Sequence, residues 1–172
     1  YSTAKYIDEA GIDVVLIGDS LAMVALGYET TNAIGVEEMS IFTKAVAKGV
    51  NHAMVITDMP FLSYHTDIPT AIKNCGQMIK FGANGVKIEG FSEYILEVIK
   101  RCVDSGIPVI GHLGFTPQFM NTLGGYKIQG KNQEADFIGC IAWRQTADFL
   151  GNYAKKGALV SVEGSIRTSS YD

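Results

Sequence analysis

Two hydrophobic periods alternate along this chain. Short strand-like runs recur at 13–18, 53–57, 85–90 and 108–112, apolar throughout at their centres except for the third, where Lys87 and Glu89 alternate with Val86 and Ile88, and between them apolar residues return every three or four positions. An unbroken run of this length marks a strand covered on both faces, whereas the longer spacing marks a helix with one buried stripe. The first run is the clearest, with Val14-Val15-Leu16-Ile17 held between Asp13 and the break Gly18-Asp19-Ser20. Helices are predicted over 1–10, with Ala4, Ile7 and Ala10 in step and Gly11 as cap, and over 36–50, with Met39, Phe42, Val46 and Val50 on one face. Two more are predicted over 69–81, closed by Gly82, and over 93–104, where Ser92 suits the N-cap and Gly106 ends the helix. Residues 21–32, with Gly27, are predicted to form a loop on the ligand side.

Strand and helix in strict alternation predict an α/β fold built on a parallel sheet. The period is one of architecture, since the copies share no motif. Each strand ends in a residue with chemistry: Asp19, Asp58, Lys87 with Glu89, and His112. Parallel α/β folds gather the C-terminal ends of their strands on one face and bind ligands there. Four reactive ends therefore predict one site.

Past Gly124-Gly125-Tyr126 the texture changes. Residues 135–143 form a long apolar run bearing Phe137 and Trp143, 144–156 read as a helix closed by Gly157, and 158–166 alternate polar and apolar like a half-buried antiparallel strand. A basic, hydroxyl-rich end, Arg167-Thr168-Ser169-Ser170-Tyr171, follows. The βα rhythm has stopped, and two units are predicted, 1–131 and 132–172.

Composition adds exclusions. Apolar content of 47% with 19% charged residues is ordinary for a globular protein, and a net charge of −4 gives no general pull toward nucleic acid or anionic membrane. No run is long enough to span a bilayer and the start lacks a signal-peptide pattern, so a cytoplasmic protein without membrane partners is expected. Cys75, Cys102 and Cys140 are odd in number and without a CxxC pair, which predicts reduced thiols packed as small apolar groups. The chain starts mid-pattern at Tyr1 and stops without a terminator at Asp172, and is expected to be cut at both ends.

Among the strand-end residues, Asp19 and Asp58 form a carboxylate pair that suits a hard cation keeping several waters. Aspartate also follows strands simply to form turns. Glu89 on the next strand tips the balance to metal, acting through water or by orienting a ligand. Lys87 and Glu89 share one face of their strand. A lysine inside such a fold needs a carboxylate or an anionic ligand, and an ion pair between these two would serve equally well. Ser20 reads as a turn serine or as a donor to a carboxylate, and His112 as a structural hydrogen bonder. Tyr28, Thr30 and Thr31 are minor candidates in the loop.

Residues 1 to about 131 resemble the ketopantoate hydroxymethyltransferase family. The resemblance rests on Asp8-Glu9-Ala10-Gly11-Ile12-Asp13 leading to Leu16-Ile17-Gly18-Asp19-Ser20-Leu21, then Thr57-Asp58-Met59-Pro60-Phe61 and Val86-Lys87-Ile88-Glu89-Gly90. It continues through Gly111-His112-Leu113-Gly114-Phe115-Thr116-Pro117-Gln118 and Gly124-Gly125-Tyr126-Lys127-Ile128-Gln129-Gly130. It implies part of a (β/α)8 barrel, about four βα units corresponding to the second to fifth strands. It implies transfer of a hydroxymethyl group from methylenetetrahydrofolate, the co-substrate, to 3-methyl-2-oxobutanoate on the way to pantothenate. Mg2+ would be held by Asp19 and Asp58, with Glu89 nearby, and would chelate the 2-oxoacid. Ser20, Lys87 and His112 would meet the substrate beside Asp19 and Asp58. The family's general base is a glutamate on a strand that this stretch does not contain, so no catalytic base is assigned and turnover is expected to be impaired. The family forms multimers, which implies a homo-oligomer.

Residues 132–172 resemble a different family, the bacterial single-stranded DNA-binding protein, through Glu134-Ala135-Asp136-Phe137-Ile138, Trp143-Arg144, Tyr153-Ala154-Lys155-Lys156-Gly157 and Val162-Glu163-Gly164-Ser165-Ile166-Arg167-Thr168. The resemblance implies a β-α-β fragment of an OB-fold in which Phe137, Trp143 and Tyr171 would stack bases. The chain then reads as a chimera. Single-stranded DNA is the alternative partner, and a hybrid with no activity the remaining reading. The acidic total charge and the fragmentary OB-fold weigh against DNA.

Overall fold

The computed structural model describes residues 1–114 and 116–121. Their order is α1 (Ser2–Glu9), β1 (Val14–Ile17), α2 (Leu21–Val24), a 3-10 turn (Thr31–Ala33), α3 (Val36–Ala47), β2 (Met54–Asp58), α4 (Ile68–Lys80), β3 (Gly85–Glu89), α5 (Glu93–Asp104), β4 (Val109–His112) and a second 3-10 turn (Pro117–Phe119). The four predicted strands form one sheet in the order β1-β2-β3-β4, every pair parallel. Consecutive strands lie side by side, as helical crossovers that all turn the same way require.

Caps account for the helix limits. Ser92 Oγ accepts from the Ile95 amide, as its sequence position predicts, and Asp67 accepts from the Thr70 amide to start α4 at Ile68, one residue before the predicted Pro69. Two predictions need correction. Residues 21–32 are not all loop, since α2 and the first 3-10 turn occupy half of them. Helix α3 ends at Ala47, and its most buried side chains are Met39, Ser40 and Thr43, with Phe42 and Val46 only partly buried. Hydroxyls can occupy that stripe because each donates to the carbonyl four residues back, Ser40 to Val36 and Thr43 to Met39. Thr43 also meets Thr57 of β2 at 3.0 Å.

The core lies between the sheet and helices α3, α4 and α5. Ile17, Val55, Val86 and Ile88 from the strands pack with Met39, Cys75, Met78, Val98 and Cys102. Cys75 and Cys102 are free and fully buried, as predicted, whereas Cys140 lies outside the described residues. Alternation along the strands turns Val14, Leu16, Met54 and Ile110 to the opposite face, where they are 46–50% exposed. Asp58, Lys87, Glu89 and His112 share that face, one or more turns of the pleat further toward the C-terminal ends. Among the described residues no helix is long and apolar enough to cross a membrane. The predicted boundary at 131/132, the OB-like strands and helix, and Phe137, Trp143 and Tyr171 all lie outside the described residues.

Candidate active site

Parallel register brings the strand-end residues into pairs. Asp58 of β2 stands opposite Lys87 of β3, and Glu89 of β3 stands opposite His112 of β4. Lys87 Nζ lies 3.0 Å from Asp58 Oδ1, and His112 Nδ1 lies 2.8 Å from Glu89 Oε1. A carboxylate only accepts, so His112 Nδ1 carries the proton in that contact and Nε2 is left for another partner. The ion pair suggested by the Val-Lys-Ile-Glu spacing is not the one formed. Lys87 turns across the sheet to Asp58, because the directly opposed residue is nearer than one two places along its own strand.

Asp19 joins from the turn after β1. Its main-chain N–H donates to Asp58 Oδ2 at 3.2 Å, and its own Oδ2 accepts from Gln118 Nε2 at 2.7 Å. A Cβ at Gly18 would crowd Ser20 Oγ at 3.0 Å but meet Asp58 Oδ2 at an ordinary 3.7 Å. Ser20 itself is exposed, opens α2 and makes no capping hydrogen bond with its side chain. Tyr28, one of the loop candidates, donates instead to Glu38 on the surface, and Thr31 is buried with its hydroxyl toward Asn32 Oδ1.

Asp19, Asp58 and Glu89 are all buried, and among the described residues Lys87 is the one ammonium paired with them. Burial, reinforced by the charges of Asp58 and Glu89, pushes Asp19 up to about 6, against the opposing pull of the Gln118 hydrogen bond and the Lys87 charge. Asp58 is also raised, chiefly by burial, with Lys87 opposing. Among the described residues the cluster is short of positive charge.

That shortage bears on magnesium. Asp58 Oδ1 is buried and has no hydrogen-bond partner; the Lys87 ammonium is close to it but not along a hydrogen-bonding direction. Two hard carboxylates, one with a free lone pair, fit a cation that keeps most of its waters. Glu89 is differently placed. Its Oε1 is taken by His112 and its Oε2 by the Gln118 main-chain N–H at 3.3 Å. Among the described residues no three His, Cys, Asp or Glu side chains are grouped as a ready ligand set. The residues present thus fit a cation on Asp19 and Asp58, with Glu89 behind them.

Three residues of the site went unread in the sequence. Gln118, in the second 3-10 turn, reaches Asp19, Met59, Tyr64, Glu89 and Asn32. Tyr64 is fully buried, its hydroxyl accepting from the Glu89 N–H and lying 2.9 Å from Gln118 Oε1. His65 stacks at 4.0 Å on Tyr64 beside Phe61 and Phe119, with both ring nitrogens buried and unpartnered, and burial lowers its pKa. Gln118 sits inside the quoted motif Gly111–Gln118, but polar residues in loops carry no period to mark them. Nothing in the spacing distinguishes Tyr64 or His65.

The model of the ketopantoate hydroxymethyltransferase family matches residues 1–147, past the boundary predicted at 131. The chain is 55% identical over 136 residues to a 3-methyl-2-oxobutanoate hydroxymethyltransferase of Clostridium botulinum, covering 78% of this chain and 49% of that protein. It is 52% identical over 132 residues to the enzyme of the same name from Acetivibrio thermocellus, covering 76% and 46%. The chain thus spans about half the length of the curated relatives it matches. Among solved structures it resembles oxaloacetate acetylhydrolase and 2,3-dimethylmalate lyase, a member of the PEP mutase/isocitrate lyase superfamily, each with a TM-score of 0.53 and 16% identity. Each likeness covers 63% of this chain, with 43% of the first structure and 42% of the second, and speaks for the fold alone. With parallel βα units, acids at successive strand ends and this degree of identity, the chain belongs to the ketopantoate hydroxymethyltransferase family.

Proposed function

We propose that this chain carries the magnesium- and 2-oxoacid-binding part of a ketopantoate hydroxymethyltransferase, its four βα units forming an arc of a (β/α)8 barrel. The observation that carries the reading is the meeting of Asp19, Asp58 and Lys87 at three neighbouring strand ends, with Asp58 in contact with both the Lys87 ammonium and the Asp19 main-chain N–H.

Asp19 and Asp58 would hold Mg2+, which when bound supplies Lewis-acid polarisation of the oxoacid carbonyl and so acidifies the adjacent carbon. Lys87, with its side chain 16% exposed, presents an ammonium to the carboxylate or oxo group of 3-methyl-2-oxobutanoate while balancing Asp58. Ser20 offers a hydroxyl from the exposed rim, and His112, oriented by Glu89, offers Nε2. Loss of the C3 proton would give the enolate, whose carbon would bond to the methylene carbon of methylenetetrahydrofolate as that carbon leaves nitrogen, with one water supplying the hydroxyl, so that ketopantoate and tetrahydrofolate are the products. The base for that proton is by family resemblance a glutamate on a later strand, and a homo-oligomer is the assembly the family implies.

Isothermal calorimetry with 3-methyl-2-oxobutanoate, with and without Mg2+, tests the reading. Binding that needs Mg2+ and is abolished in Lys87→Met supports it. Binding indifferent to both overturns it. The single-stranded DNA reading of 132–172 is tested separately by a salt-dependent titration with oligonucleotide.

A further inference from the structure

Gln118 is 2% exposed, and a buried primary amide is costly unless all its polar groups are met. Every one is. Its Nε2 donates to Asp19 Oδ2 at 2.7 Å and to the Met59 carbonyl at 2.8 Å, and its Oε1 accepts from the Tyr64 hydroxyl at 2.9 Å. Its main-chain N–H donates to Glu89 Oε2 and its carbonyl accepts from Asn32 Nδ2 at 3.0 Å. The amide can face only one way, because a flip would set Oε1 against two acceptors, the Asp19 carboxylate and the Met59 carbonyl. The turn that carries it is anchored next door. Gly90, at φ +102°, leaves room for the Phe119 ring, which a Cβ would meet at 3.2 Å.

We propose that Gln118 is a positioning residue for the strand-end site. By occupying Oδ2 it fixes the rotamer of Asp19, through its own N–H it fixes Glu89, and through Asn32 it ties both to the loop after β1. A residue that served only to fill space here would be apolar. The ligand named in the test rests on the function proposed above; the positioning itself does not.

Two variants of the full chain separate the possibilities. Gln118→Met keeps the volume and the main-chain hydrogen bonds but loses the amide, and Gln118→Glu keeps an acceptor for Tyr64 while setting a carboxylate against Asp19. Crystal structures of the variants are expected to show the Asp19 carboxylate turned from its present rotamer. Calorimetry with 3-methyl-2-oxobutanoate and Mg2+ is expected to show affinity falling about 10–100-fold, the loss typical of removing a partner that orients a ligating side chain. Asp19 unmoved in the variants, or unchanged affinity in a less stable protein, would reduce Gln118 to a structural role and overturn the proposal. If the wild-type chain binds no oxoacid while Asp19 still turns in Gln118→Met, the functional reading fails and the positioning stands. Should neither variant fold, the Nε2 protons of wild-type Gln118 decide by NMR: strong protection from solvent exchange is expected, and free exchange would refute the role.

Discussion

The side-chain amide of Gln118 and the carboxylate of Asp19 meet at 2.7 Å across 99 positions of sequence. The contact closes the turn after β4 onto the turn after β1, so the first and last described strands are joined at the same end as the acids. Between them Lys87 and Asp58 form the pair on which the local charge balance depends.

Removing the cation of that pair should expose the imbalance. Lys87→Met leaves Asp19, Asp58 and Glu89 buried without the one ammonium that the described residues place beside them. Loss of one partner of a largely buried pair is expected to lower stability by about 3 kcal/mol at pH 7. The loss should shrink at pH 5, where protonation relieves the acids. Urea unfolding at both pH values measures it, and an equal loss at each would contradict the charge argument.

The pH dependence of the unmodified chain follows from Asp19. Its carboxyl holds a proton up to about 6 in the folded chain against 3.8 as the ordinary value. Between those values the folded form binds more protons than the unfolded, so stability falls as pH rises through the window. The decline amounts to about 3 kcal/mol at most. Asp58, also raised, acts in the same direction. Without added metal the melting temperature should therefore drop between pH 4 and pH 6.5, and Asp19→Asn should flatten the curve. A melting temperature that climbs across that range would be incompatible with a buried, cation-poor cluster.

The fold was readable because the strands carry apolar residues on both faces, even though Val14, Leu16, Met54 and Ile110 on one of them stay half-exposed, and because the helices leave capped, periodic stripes. The strand-end acids were readable for the same reason, as polar residues breaking apolar runs. Pairing was not. Lys87 and Glu89 share a strand and look like partners, yet cross-strand register gives each a different neighbour. Gln118, Tyr64 and His65 act from turns, where no period exists to mark which polar or aromatic side chain is buried. The α3 stripe was misjudged because buried hydroxyls bonded to their own helix pass for surface residues.

At the other end of the sheet Asp8 does purely structural work. Its carboxylate accepts from the main-chain N–H groups of Asn51 (2.9 Å), His52 (3.0 Å) and Ala53 (2.7 Å), fastening α1 to the entry of β2. Those hydrogen bonds, that of Ala53 foremost, hold its pKa far below the usual carboxylate range. Asp8→Ala should lower stability, since three main-chain amides lose a charged acceptor. Its contribution is present above pH 4 and lost as pH falls below that value, the reverse of Asp19. Oxoacid and magnesium binding per folded molecule should be unaffected. A variant as stable as the parent in urea would show the three hydrogen bonds to be dispensable.

Binding and turnover should come apart in this chain. Enolate formation needs a base within hydrogen-bond reach of the C3 proton. Glu89 is committed to His112 and the Gln118 N–H, and Asp58 faces Lys87. Asp19, with its raised pKa, has the basicity for the task but is pinned by Gln118 and would be engaged by a bound cation. Among the described residues no strand-end carboxylate is therefore left to act as the base, and the strand-end site by itself is expected to form no ketopantoate from methylenetetrahydrofolate and 3-methyl-2-oxobutanoate. It should also leave the rate of C3 hydrogen–deuterium exchange in D2O at the level that Mg2+ alone gives, a quantity read directly by proton NMR of the oxoacid. Exchange well above that background and lost in Asp19→Asn would show that these strand ends contain their own base, with Asp19 as the residue that takes the proton.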